Sequence, residues 1–204
     1  KRQVLIPAEA LPAPEARLDL FNTARELFLA DGYVVIGIDH FARPGDGLAT
    51  AQKAGRLKRN FQGYTDDQAE VLVGLGASTI SHYPQGFAQN APATGAHTKA
   101  IREGRLSVMR GHAFSAEDRW RARMIEALMC DFRIDAAEMG ARFGLDRAAL
   151  AQLFAPIAAH FGAMVRITAD GSLEIPMAAR PLTRMIAHRL DAYDMAATGH
   201  STAI

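Results

Sequence analysis

The sequence predicts an α/β segment followed by an α+β domain that is mostly helical and winged-helix-like, with the division near residue 90. First, a helical apolar periodicity runs straight into Tyr33-Val34-Val35-Ile36-Gly37-Ile38, an apolar run without alternation, as in a strand covered on both faces. Second, Pro84 to Gly95 is rich in Gly, Pro, Ala, Gln and Asn and has the composition of a linker. Third, the chain beyond it changes to short capped helices and a hairpin.

From Pro14 to about Ala30, Leu20, Ala24 and Leu27 recur at helical spacing with Phe21 and Phe28 beside them; Pro14 suits a first turn and Gly32 a stop. This predicts a helix with one buried face. The strand at 33–38 would then join a parallel sheet, where ligands gather at the carboxyl ends of strands, so Asp39, His40, Phe41 and Arg43 hold a favoured place. Asp39-His40 has the composition of an acid-base pair, and equally that of a hydrogen-bonded strand end. Residues 46–55 suggest a short helix and Asn60 to Thr65 an irregular stretch. A second strand-like run extends from Val71 to Ser81; Gly74 and Gly76 inside it weaken a strand and often mark close approach of a ligand or another backbone.

In the second half, Ser115-Ala116-Glu117-Asp118 has capping-box spacing, and Trp120, Met124, Leu128 and Met129 give the following helix an apolar face. Asp135 caps a short helix to about Phe143, and Gly144-Leu145-Asp146 turns into a third helix bearing Leu150, Leu153, Phe154, Ile157 and Phe161. Val165-Arg166-Ile167 and Leu173-Glu174-Ile175 flank a turn at Ala169-Asp170-Gly171-Ser172. A last helix carries Leu182, Met185, Ile186 and Leu190. Helix, helix, helix, hairpin is the order of a winged-helix domain.

Composition excludes several classes. The chain has 204 residues, 49% hydrophobic and 22% charged, which disfavours disorder. A formal charge of +1 gives no general footprint for nucleic acid or an anionic membrane. The helix Arg147 to Phe161 carries one arginine, no lysine and His160, little with which to neutralise phosphates. No apolar run approaches the roughly 18 residues of a membrane span, and a cytoplasmic location is expected. One cysteine, Cys130, rules out an intramolecular disulfide and any site of three or four thiolates made by this chain alone; it suits a small buried hydrophobe. The histidines show no HExxH or other metal spacing, so no metal site is expected.

Three stretches are specific when taken together: Gly37-Ile38-Asp39-His40-Phe41-Ala42-Arg43-Pro44, then Arg59-Asn60-Phe61-Gln62-Gly63-Tyr64-Thr65, then Gly74-Leu75-Gly76-Ala77-Ser78-Thr79-Ile80-Ser81 with Ala88-Gln89-Asn90 after it. In this order they resemble the C-terminal part of the oxygen-independent coproporphyrinogen III oxidases, radical S-adenosylmethionine enzymes of haem synthesis; Leu128 to Asp135 continues the likeness. The related haem-chaperone branch shares Phe-Ala-Arg-Pro but lacks the Asn-Phe-Gln-Gly-Tyr-Thr stretch, which favours the oxidase branch over a diverged paralogue.

The resemblance implies the C-terminal end of a partial β/α barrel over residues 1–90 and a helical domain over 91–204. It implies a parent enzyme that converts two propionates of coproporphyrinogen III to vinyls, giving protoporphyrinogen IX. A [4Fe-4S] cluster, S-adenosylmethionine and an electron donor would serve that reaction. The cluster needs three closely spaced cysteines that this chain lacks, so the chain is expected to be a C-terminal portion, a little under half of the enzyme. Alone it is expected to be inactive, to bind neither cofactor, and to self-associate through residues 1–90. By the resemblance, Phe61 and Gln62 fall at catalytic positions and Ile80 at an apolar contact to S-adenosylmethionine. Each also has an ordinary role available: Phe61 as a loop anchor, Gln62 as a solvated amide, Ile80 as core. Arg56 and Arg59, in a run of cations with Lys53 and Lys58, could orient the four carboxylates of the substrate, or simply form a solvated face. A nucleic-acid-binding or protein-interaction winged helix is the alternative function, with salt-dependent DNA binding as its sign.

Overall fold

The computed structural model describes residues 7 and 10–193, and its apolar side chains gather in two cores. The first helix, α1 (Pro14–Ala30), starts on its proline as expected. Its apolar stripe is present but no residue of it is fully buried: Leu20 is 63% and Leu27 67% exposed, Phe21 is half-buried, and Phe28 stacks on Phe41 at 4.8 Å and meets the Tyr33 edge at 5.4 Å.

The expected parallel strand is instead a tight hairpin. β1 (Val34–Ile36) pairs antiparallel with β2 (His40–Ala42). The reason is local. Gly37 sits at φ +56°, turning the chain after three residues, and a Cβ there would lie 2.0 Å from the Tyr64 ring. Asp39 to Arg43 therefore occupy a hairpin turn and return strand, not the carboxyl end of a parallel strand. After α2 (Gly47–Lys53), capped by Asp46, a second hairpin stands where an irregular stretch was expected: β3 (Lys58–Asn60) and β4 (Gly63–Thr65).

Most of the expected strand at 71–81 is loop. Leu72 makes one bridge to His82, and pairing resumes at β5 (Ile80–Tyr83). Gly76 at φ +100° and Ser78 at φ +62° break the extended path, leaving Leu75 86% exposed. The close approach expected at the glycines is real at Gly74, where a Cβ would meet the Thr79 side chain at 2.8 Å. The stretch expected as a linker is a central strand: β6 (Gly86–Asn90) lies between β5 and β7 (Val108–Ala113) in a three-stranded antiparallel sheet. Gly86 permits the packing, since a Cβ there would fall 2.0 Å from the His112 carbonyl oxygen. α3 (Thr94–Arg102) connects β6 to β7, so the sheet draws on both sides of residue 90.

The helical half follows the sequence closely. α4 (Ala116–Asp131) carries the Ser115/Asp118 capping box and ends on Phe132 in the left-handed region. β8 (Arg133–Ile134), α5 (Ala136–Phe143), α6 (Arg147–Phe161), β9 (Arg166–Ile167) and β10 (Leu173–Glu174) follow, with sheet order β8-β10-β9. Asp135 and Asp146 cap α5 and α6. A 3-10 segment, Met177–Leu182, leads into the short α7 (Thr183–His188). Met185 of its expected apolar face is half-exposed, whereas Ile186 is fully buried. The larger core joins Met124, Leu128, Ile134, Met139, Phe154 and Leu173; the smaller one contains Ile36, Leu57, Tyr64 and Cys130. Because Cys130 is the helix's contribution to the smaller core, α4 packs into both. All strand pairing among the described residues is antiparallel.

Candidate functional site

Phe61 and Gln62 form the tip of the β3–β4 hairpin. The tip is shaped by its neighbours: Asn60 Oδ1 accepts the Gln62 N–H at 2.8 Å, and Gly63 takes φ +141°. The root is fixed by Tyr64. Its buried hydroxyl donates to the Met129 carbonyl at 2.8 Å and accepts the Ile38 N–H at 3.0 Å, tying this hairpin to the first one and to α4. Burial pushes the Tyr64 hydroxyl up to about 12.

In front of the tip lies one face of the β5-β6-β7 sheet. Register places His82, Phe87 and His112 directly opposite one another across the strands, so their side chains share a face; the next row on that face is Ile80, Gln89 and Arg110. Phe61, 54% exposed, meets Phe87 edge-on at 5.1 Å, and Phe87 packs against Phe114 at 4.7 Å. Two of the expected site residues thus converge: Phe61 lies over the first row and Ile80 stands in the second.

Gln62 is exposed at the tip beside Phe61. Arg56 is exposed beyond α2, its carbonyl held by the Gln68 amide at 2.8 Å. The Arg59 guanidinium lies 5.6 Å from the Tyr64 ring, turned toward the hairpin's root. Glycine-loop placement also has a cause. The Asn90 amide donates to the Gly76 carbonyl at 2.9 Å and to Thr79 Oγ1 at 3.2 Å, pinning the loop that leads into Ile80.

Charged groups border this region. Asp39 accepts from His40 Nδ1 at 2.8 Å and pairs with Arg184 of α7, which places the two residues in a hydrogen-bonded network at a hairpin end. At the far end of the sheet, His112 approaches Asp118 at 3.3 Å, while Tyr193 donates to Asp118 at 2.8 Å. The Ser115 N–H and hydroxyl hold the Asp118 carboxyl down near about 2. Sequence reasoning missed Phe87, His82, His112 and Arg110. The linker reading of 84–95 hid Phe87 and with it the sheet that brings His82, Arg110 and His112 onto one face, and Gln89 was noticed only as part of a motif.

No protein-family model matches the chain. It is 71% identical over 204 residues to the oxygen-independent coproporphyrinogen III oxidase of Paracoccus denitrificans, of which it covers 45%. To the enzyme of the same name from Cereibacter sphaeroides it is 57% identical over 194 residues, covering 43% of that protein. Its fold matches a solved coproporphyrinogen III oxidase from Escherichia coli, described as a radical SAM enzyme, with TM-score 0.83 and 33% identity over 94% of this chain and 44% of that one.

The chain belongs to the oxygen-independent coproporphyrinogen III oxidases. It spans a little under half the length of these relatives, as a C-terminal portion. A radical SAM oxidase carries an iron-sulfur cluster, and the residues of this chain do not fit one. Cys130 is the single thiol, 1% exposed, and burial next to Glu126 and Asp131 pushes it up to about 12, far from a thiolate ligand. Among the described residues no group of three or more His, Cys, Asp or Glu side chains could hold a metal ion, and no helix is long and apolar enough to cross a membrane.

Proposed function

We propose that the whole oxidase, of which this chain spans a part, removes carboxylate and hydrogen from two propionates of coproporphyrinogen III to leave the vinyls of protoporphyrinogen IX. A [4Fe-4S] cluster held by residues outside this chain, together with S-adenosylmethionine, would supply the radical chemistry, and an electron donor would feed the cluster. The observation that carries the reading for this chain is that Phe61 packs on Phe87 of the sheet face whose next row holds Ile80. There Phe61 excludes water, Ile80 gives an apolar contact to S-adenosylmethionine, and the exposed Gln62 amide hydrogen-bonds a carboxylate or ribose without titrating.

In this reading residues 1–90 close the end of a partial barrel. The uncovered apolar stripe of α1 supports it, since such a stripe needs a neighbour. Residues 91–204 form a helical lid or scaffold with winged-helix topology, supported by the order α4-β8-α5-α6-β9-β10 and the β8-β10-β9 sheet. Nucleic-acid binding is disfavoured because the lone α6 arginine, Arg147, donates to the Ala169 carbonyl at 2.8 Å and braces the hairpin turn. The test is anaerobic incubation of the full-length protein with coproporphyrinogen III, S-adenosylmethionine and a reductant. A product with two vinyls is expected, with none from residues 1–204 alone; no product from the full-length protein overturns the proposal.

A further inference from the structure

Arg110 is the cation of the open sheet face. It stands on the edge strand β7, in one row with Ile80 and Gln89. Arg123 and Arg133 of the helical half are tied down, the first to Glu138 and Glu126, the second to Glu174, Asp170 and Asp135. Arg110 is exposed, and no carboxylate, carbonyl or ring among the described residues receives its guanidinium. Gln89, between it and Ile80, is oriented by a hydrogen bond from its amide to the Ser78 carbonyl at 3.2 Å. The face is therefore graded from apolar at Ile80, through an amide, to a free guanidinium two strands away, about 10 Å across. Arg56 and Arg59 offer no such alignment, one lying beyond α2 and the other against Tyr64.

We propose that Arg110 is a carboxylate-binding residue of the substrate site, taking one propionate of the tetrapyrrole by a charge-assisted, two-pronged contact and so orienting the ring over the Ile80 row. This rests on the function proposed above. A planar fork suits a carboxylate better than an ammonium does, so Arg110→Lys should restore only part of what Arg110→Met loses.

The experiment titrates the full-length protein and its Arg110→Met and Arg110→Lys variants with coproporphyrin III, the fluorescent oxidised form of the substrate, and with its tetramethyl ester. Arg110→Met should weaken binding of the tetracarboxylate about tenfold, as for loss of a hydrogen bond to a charged group, while ester binding stays at the wild-type level. Arg110→Lys should fall between. Wild-type affinity for the tetracarboxylate in Arg110→Met overturns the proposal alone. An equal loss toward acid and ester also overturns it, since that signals a disturbed sheet. If the wild-type protein binds neither ligand, the functional reading fails together with this one.

Discussion

Tyr64 ties both N-terminal hairpins to α4 through one hydroxyl. Its hydroxyl satisfies one half-buried N–H and one buried carbonyl, so Tyr64→Phe leaves both without that partner at a cost of about 1–3 kcal/mol. Urea denaturation should show a lower midpoint with unchanged slope; an unchanged midpoint would refute the bracing role. Cys130 gives a second residue-scale test. Buried and pushed up to about 12, its thiol should resist a disulfide reagent at pH 8 in the folded chain and react promptly in denaturant. Fast labelling of the folded chain would contradict the burial. Asp118 supplies the pH dependence. Its folded carboxyl lies near about 2, below its ordinary value, so its contribution is present above pH 4 and is lost as pH falls toward 2. Asp118→Asn should therefore narrow the gap in stability between pH 5 and pH 3, and an unaltered gap would count against the Ser115 and Tyr193 contacts.

At the scale of elements, most helices and the β9–β10 hairpin were legible, whereas the two hairpins before residue 66 were not. Ser115, Asp135 and Asp146 each announce a helix start, and each caps one. Those signals are local, lying within four residues of the bond they make. The β1–β2 turn is different, for Gly37 turns against Tyr64, 27 positions later in the chain, and no window around residue 37 contains that ring. The β6 strand was hidden likewise: its Gly86 is there to admit the His112 carbonyl of a strand more than twenty residues on, so its composition imitates a linker. Phe61, Gln62 and Ile80 were nominated by motif resemblance alone; what the motif lacked was the sheet face that Phe61 and Ile80 share. Gly86→Ala should be among the costliest single changes in this sheet, about 2 kcal/mol or more, because both the φ of +153° and the backbone contact forbid a Cβ. Hydrogen exchange should then accelerate in β5, β6 and β7 together. Retained protection would show that the close approach is not required.

For the molecule as a whole, α4 contributes to both cores, and α1 leaves Leu20, Leu27 and much of Phe28 facing outward. A chain of 204 residues with that stripe uncovered should self-associate in sedimentation, and Leu20→Glu with Leu27→Glu should shift it toward monomer. A monomer without those changes would argue that the stripe needs no cover. The central claim concerns the sheet face behind the hairpin tip. The most direct measurement is turnover of coproporphyrinogen III by the full-length oxidase carrying Phe61→Ala, with iron content and cluster absorbance recorded on the same sample. Loss of about a hundredfold in turnover with the cluster intact is the predicted result, on the scale of disrupted positioning; turnover equal to wild type would contradict the assignment of this face to the active site.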